Sequence, residues 1–120
     1  MLCLDTYVLI ELRRGNPKFS AILNKEFVIT DLTIAEFYVV LYKEKDEKSA
    51  EYLYDKLEIY CKPVSRSILI KALKYREENK KDNLSIFDAA GYIFSIVNNL
   101  KFVTGDKAFK DKEGVEFIQK

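Results

Sequence analysis

The segment Lys101–Phe109, KFVTGDKAF, decides how the chain is read. Phe102-Val103-Thr104 is a short β-rich run. It stops at Gly105, and the next residue presents the carboxylate of Asp106. Read backwards and forwards from this corner, the chain alternates strand candidates with longer stretches of helical period. Leu2–Asp5 is the first strand, and Tyr7–Arg14 is a helix ended by Gly15-Asn16. Pro17 opens a second short helix, where its fixed φ suits the first turn. Phe27–Thr30 is the next strand, followed by a helix from Thr33 to Glu44.

Beyond the charged turn KEKDEKS, Ala50, Leu53, Tyr54 and Leu57 follow i, i+3, i+4, i+7 spacing. A strand at Tyr60–Val64 precedes a helix over Arg66–Asn79, with Leu69, Ala72 and Leu73 assigned to its inner face. EENKKDN reads as a solvated loop. Ser85 starts a helix that turns Ile86, Ala89, Ala90, Ile93 and Val97 inward, with Gly91 allowing close packing. Val115–Ile118 is the last strand. Strands separated by helices imply βαβ units, hence an α/β/α sandwich with a central, mostly parallel sheet. The 120 residues carry no repeat and no Pro-, Gly- or Ser-rich linker, so one domain over 1–120 is expected.

Composition removes whole classes of chemistry. There is no histidine, which excludes Ser-His-Asp and Cys-His catalysis and histidine-ligated zinc. The net charge of +1 gives no overall field for a polyanion, so nucleic-acid contact requires a local patch. Cys3 and Cys61 make no metal spacing and are expected as buried, reduced thiols in a cytoplasmic protein. No cationic leader precedes an apolar segment, and no apolar run reaches the roughly 20 residues that span a bilayer.

The corner at Asp106 has counterparts. Asp5 closes the first strand in CLDT, Glu36 stands in TDLTIAEF after the second, and Asp88 stands in LSIFDAAG at a helix start. Each has a purely structural explanation. Asp5 can cap its helix, Thr33-x-x-Glu36 and Ser85-x-x-Asp88 match capping boxes, and Asp106 can serve a turn. Their conjunction has a chemical one. In open α/β sheets, ligands bind outside the carboxyl ends of the strands, so such corners can converge. Converging carboxylates repel and raise one another's pKa, and a hard cation such as Mg²⁺ or Mn²⁺ relieves that repulsion.

Together CLDTYVLIELRRGN, Thr33-x-x-Glu36, LSIFDAA and FVTGDKAF resemble, in order and interval, a PIN-domain ribonuclease, in particular the toxin of VapBC toxin–antitoxin modules. The resemblance implies a parallel sheet and an acidic pocket that binds Mg²⁺ or Mn²⁺ and hydrolyses RNA phosphodiester bonds. It places the pocket acids on Asp5, Glu36, Asp88 and Asp106, with Asp5 and Asp88 as the foremost ligands and Thr104 as the hydroxyl beside the last acid. Asp111 is an outer acid or a solvated one. It also implies a homodimer and a small VapB-like antitoxin laid across an apolar groove, for which Tyr38, Val39, Leu41 and Tyr42 are candidates.

Cations at the rim would guide RNA to an acidic pocket. Arg13 and Arg14 are the first choice because guanidinium forks match phosphate, with Lys43, Lys45, Lys107 and Lys110 behind them. Tyr7, Phe37, Tyr38 and Tyr42 can stack on bases or belong to the core. A receiver domain needs paired acids after the first strand and an aspartate after the third; LDTY has one acid and YCKPVSRS none. A DxD phosphatase fails at Tyr7. A housekeeping RNA-processing nuclease and a non-catalytic binding module of the same fold remain as alternatives.

Overall fold

The computed structural model describes all residues from Met1 to Lys120. Five strands form one sheet: β1 (Leu2–Leu4), β2 (Phe27–Thr30), β3 (Cys61–Lys62), β4 (Lys101–Thr104) and β5 (Val115–Phe117). Their order is β3-β2-β1-β4-β5 and every pairing is parallel. From β1 the chain builds outward to β2 and β3, then returns to the other side of β1 for β4 and β5. The strand order therefore reverses between β1 and β4, and the carboxyl ends of those two strands flank the crevice that such a reversal opens.

Five α-helices cover both faces: α1 (Thr6–Arg13), α2 (Asp31–Glu44), α3 (Glu47–Leu57), α4 (Arg66–Glu78) and α5 (Ile86–Val97). A 3₁₀ segment spans Pro17–Asn24. The period-2 alternation of the strands divides the core in two. Leu2, Leu4, Ile29 and Val103 pack with Val8, Phe19, Phe37 and Leu41 under α1 and α2. Cys3, Val28 and Phe102 point the other way, to Ile68, Tyr92 and Phe94 of α4 and α5. Burying apolar side chains at about 25 cal/mol per Å² is what fixes this alternation, because a one-residue register slip would exchange the faces. No helix is long and apolar enough to cross a membrane.

Several local expectations change in the folded chain. Helix α2 begins two residues earlier than its apolar period suggests, because Thr30 at the end of β2 is extended and its hydroxyl accepts the Thr33 N–H at 3.1 Å. Thr33 is thus the third residue of the helix and no capping box joins it to Glu36. Strand β3 shrinks to two residues. Leu73 of α4 is 51% exposed, and the inward face runs through Ile68, Ala72 and Tyr75. Val97 lies outside, whereas Tyr92, Phe94 and Ser95 are buried, since α5 is apolar over most of its circumference and has no single inner stripe. Leu41 is 1% exposed and belongs to the core, so it lines no groove. Cys3 is buried and Cys61 half-buried, both as free thiols.

Two glycines are required by packing. A Cβ on Gly91 would lie 2.8 Å from the Phe102 ring. On Gly105 it would overlap the Tyr7 ring and lie 2.7 Å from the Ile118 carbonyl. Gly105 is thus present because a ring and a neighbouring backbone press on it, not because a turn needs a left-handed residue.

Candidate functional site

The N-terminus of α1 shows how local capping and site geometry coincide. Asp5 is extended and buried, and its Oδ1 accepts the Val8 N–H at 3.0 Å. The Asp5 N–H is in turn held by the carbonyl of Val103 in β4, at 3.2 Å. Asp5 therefore caps its helix, as its structural explanation requires, and the cap locks the carboxylate at the point where strand order reverses.

At the end of β4 the Thr104 hydroxyl accepts the Asp106 N–H at 3.1 Å, and it stands close enough to the carboxyl of Asp5 to favour its charged form. Asp106 Oδ1 accepts the Ala108 N–H at 3.0 Å, which starts the 3₁₀ turn Lys107–Phe109. Asp88 stands in the first turn of α5, where the Ser85 hydroxyl accepts its N–H at 3.1 Å and favours the charged form of its carboxyl. Glu36 lies one turn into α2, and its Oε1 accepts a hydrogen bond of 2.5 Å from the Thr6 hydroxyl. Thr6 is buried, and sequence reasoning misses it; only its position beside Asp5 marks it.

The electrostatics tie these side chains to one region. Burial pushes the Asp5 carboxyl up to about 7; hydrogen bonds from Thr104 and Val8 oppose this, and the charges of Asp88 and Asp106 add to it. Burial likewise raises Asp88 to about 6, opposed by Ser85 and reinforced by the charges of Asp106 and Glu36. Asp88 and Asp106 thus act on Asp5, and Asp106 and Glu36 on Asp88, although the four come from separate corners. They do not close into a cage: no three acidic or thiol side chains draw together tightly enough to enclose an ion.

That openness suits one class of metal. Mg²⁺ dehydrates reluctantly and is commonly held by one or two carboxylates while it keeps several waters. The donors here are all oxygens, and burial disfavours the charged form of Asp5 and Asp88, an opposition that a hard cation reverses. Asp5, Asp88, Asp106 and Glu36 fit such an ion by donor chemistry and charge.

The remaining candidates are dispersed. Lys107 is exposed directly beside Asp106. Arg13 and Arg14 sit at the opposite end of α1, about 12 Å along the helix from Asp5 at 1.5 Å per residue. There they approach Glu44, Arg13 at 3.9 Å and Arg14 at 3.9 Å, while Arg14 also pairs with Glu11 at 3.2 Å. Lys43 and Lys45 lie at the far end of α2, and Lys110 follows the 3₁₀ turn after Asp106. Phe37 is a core residue, and Tyr7 packs on Phe19 and Gly105. Tyr38 donates to Glu51 at 2.8 Å, and Tyr42 is exposed. The largest cavity, about 580 Å³, lies among Tyr75, Tyr92, Lys101 and Gly114. It opens where β4 and β5 begin, at the sheet edge opposite the Asp106 corner.

Comparison with known proteins leads to the same architecture. The chain superposes on a toxin–antitoxin complex from Klebsiella pneumoniae with a TM-score of 0.79 at 22% identity, covering 100% of both chains. It superposes on Mycobacterium tuberculosis VapC20, a sarcin-ricin loop cleaving toxin, with a TM-score of 0.73 at 11% identity, covering 84% and 85%. For VapBC2 of Rickettsia felis bound to a promoter DNA fragment the values are 0.75 and 16%, with 99% and 98% covered. At these identities the likeness is one of fold. No curated protein matches the sequence. The PIN domain family model matches residues 2–115, nearly the whole length, and the chain belongs to the PIN domain family.

Proposed function

We propose that this chain is a divalent-metal-dependent endoribonuclease that hydrolyses phosphodiester bonds of single-stranded RNA, and that it is the toxin of a type II toxin–antitoxin pair. One observation carries the catalytic reading. Asp5 is a buried carboxylate at the strand reversal, kept from ionising by burial and by the charges of Asp88 and Asp106. A fold that merely needed a helix cap would not place a second and third acid against it, since each weakens the charged form.

Asp5, Asp88 and Asp106, with Glu36 at the edge, would hold Mg²⁺ or Mn²⁺. When bound, such an ion lowers the pKa of water and offsets charge on phosphoryl oxygens. The protein's own groups do the rest. Thr104 holds the backbone of Asp106 and, through the same hydroxyl, favours the charged form of Asp5. Thr6 holds Glu36 in position to accept a proton from, or orient, an attacking water. Lys107 offers an ammonium beside the scissile phosphate. No step requires the missing histidine.

The toxin reading draws on the fold shared with the toxin–antitoxin complex from Klebsiella and with Rickettsia VapBC2. An apolar groove of about 360 Å³, lined by Leu9, Leu12, Leu23, Phe27, Leu53 and Leu57, is a surface that a VapB-like antitoxin segment would cover. Val39 and Tyr42 add exposed apolar area on α2. A homodimer and a reducing, cytoplasmic setting for the free thiols complete the proposal.

The deciding experiment incubates the purified protein with end-labelled single-stranded RNA in Mg²⁺, Mn²⁺ or excess EDTA. Cleavage is expected only with metal and is lost in Asp88→Asn. Undiminished cleavage in EDTA would overturn the reading.

A further inference from the structure

We propose that the cleft between residues 79–82 and 107–112 is the track along which single-stranded RNA leaves the acidic corner, with Lys81, Lys107 and Lys112 contacting its phosphates. This rests on the nuclease reading for its substrate class, but it is a separate surface with its own chemistry. The cleft has a volume of about 380 Å³, and Asn79, Lys81, Asp82, Lys107, Asp111 and Lys112 line it. One wall is the 3₁₀ turn that Asp106 caps, through the Ala108 N–H, so the cleft begins one residue beyond the acid.

The state of the cations separates this surface from Arg13 and Arg14, and its place beside the turn that Asp106 caps separates it from Lys43 and Lys45, which are equally unpaired at the far end of α2. Arg13, Arg14, Lys80 and Lys120 all lie within ion-pair distance of a carboxylate. Lys81, Lys107 and Lys112 have no such partner within 4.0 Å, although Asp82 and Asp111 share their cleft. Three ammoniums without an ion pair therefore border a concave surface near a negatively charged corner and outnumber its two aspartates, of which Asp82 acts on Lys112, in a molecule whose net charge is only +1. A polyanion approaching Asp5 and Asp88 meets repulsion there and attraction here. Lys112 also lies over the Tyr75 ring, with its nitrogen 5.7 Å from the centroid, which limits its wandering. Ammonium groups meet phosphates as point charges and read no sequence, so this track would supply affinity and direction and leave base choice elsewhere. Asp82 and Asp111 oppose the effect, so neutralising them should strengthen binding.

The test measures binding separately from cleavage, in an Asp5→Asn/Asp88→Asn background, by fluorescence anisotropy of a labelled single-stranded RNA. Adding Lys81→Gln, Lys107→Gln and Lys112→Gln should raise Kd at least tenfold at low salt. It should also reduce the slope of log K against log salt by about 2, at roughly 0.7 for each phosphate no longer neutralised. Asp82→Asn/Asp111→Asn should lower Kd. As controls, to be compared with the cleft lysines charge for charge, Lys25→Gln and Lys101→Gln lie at the starts of β2 and β4, at the opposite edge of the sheet, and should change Kd less than twofold. Circular dichroism verifies that each variant is folded. Equal effects of the cleft and control lysines, or no change in the salt slope, would overturn the proposal. RNA binding through these lysines by a wild-type protein that never cleaves would retire the nuclease reading and leave the track standing.

Discussion

The hydroxyl of Thr104, at the end of β4, receives the backbone N–H of Asp106 at 3.1 Å and lies beside the carboxyl of Asp5, at the end of β1, whose charged form it favours. One buried side chain thus joins two neighbouring strand ends across the reversal of the sheet. Thr104→Val keeps the shape and removes both the acceptor of the Asp106 N–H and the polar hydroxyl beside Asp5. A hydrogen bond to a charged group contributes about 1.5–3 kcal/mol, so cleavage should fall roughly ten- to hundredfold. The acid limb of the pH–rate profile should move to higher pH, because the carboxylate of Asp5 loses a donor. Thr104→Ser should restore both. An unshifted acid limb in the valine variant would show that Thr104 does not act through Asp5.

Without metal, stability should depend on pH in a direction set by the buried acids. Asp5 is raised from 3.8 to about 7 and Asp88 from 3.8 to about 6, so the folded protein retains protons that the unfolded chain has already released. Stability is then fully present below about pH 4 and is lost as pH climbs through 6 and 7. The Asp5 contribution is at most about 4 kcal/mol, at 1.36 kcal/mol for each pH unit. Glu11 and Asp46 are held down by hydrogen bonds and act in the opposite sense, but only in the acid range below their ordinary values of 4.5 and 3.8. Calorimetry in EDTA should therefore show a lower Tm at pH 8 than at pH 5, and Asp5→Asn should flatten most of the difference. A wild-type Tm that rises over this interval would contradict the assigned burial.

Metal should reverse that trend. At pH 8 the carboxylates are ionised and repel, and millimolar Mg²⁺ or Mn²⁺ should raise Tm by binding the folded state alone. At pH 5, protons compete for Asp5 and Asp88 and the increase should shrink. Asp88→Asn should respond less than wild type at pH 8. Equal shifts at both pH values, or an equal shift with monovalent salt of the same ionic strength, would place the effect outside these acids.

Gly105→Ala should damage fold and site together. The added methyl would overlap the Tyr7 ring and meet the Ile118 carbonyl at 2.7 Å. Overpacking of this kind costs about 1–3 kcal/mol. Tyr7→Ala should restore only part of the lost Tm, since the carbonyl belongs to the backbone and cannot swing away. Full restoration would mean that the ring alone excludes a side chain there.

Glu36 should depend on Thr6. Thr6→Val removes the hydroxyl that holds the Glu36 carboxylate. The expected signature is a fall in kcat with KM little changed, repaired by Thr6→Ser. A change in KM alone would place Thr6 in RNA binding.

The corners are legible in the sequence because they are local events. A β-rich run, a hydroxyl or glycine and an acid mark the end of a strand whatever surrounds it, and Asp5, Asp88 and Asp106 each cap or open a helical turn as their neighbours suggest. Glu36 is legible as an acid but not in its relations: the capping box with Thr33 gives way to a cap by Thr30 and a bond from Thr6, thirty residues away. Helix faces are harder to read. Leu73 and Val97 match the apolar period yet lie outside, because burial depends on what packs opposite, and α4 and α5 chiefly cover each other and one sheet face. Arg13 and Arg14 look well suited to phosphate until the direction of α1 carries them away from Asp5.

By itself the chain determined its alternation of strands and helices, its reliance on oxygen chemistry without histidine, and the acids that end its strands. These are properties of neighbouring residues, written in period, capping and composition. Only the folded state decided that the strands run in the order β3-β2-β1-β4-β5, that Thr104 spans Asp5 and Asp106, and that three lysines from two separate charged runs share a cleft. Those relations join residues far apart in sequence, and they exist only once both faces of the sheet have been buried against their helices.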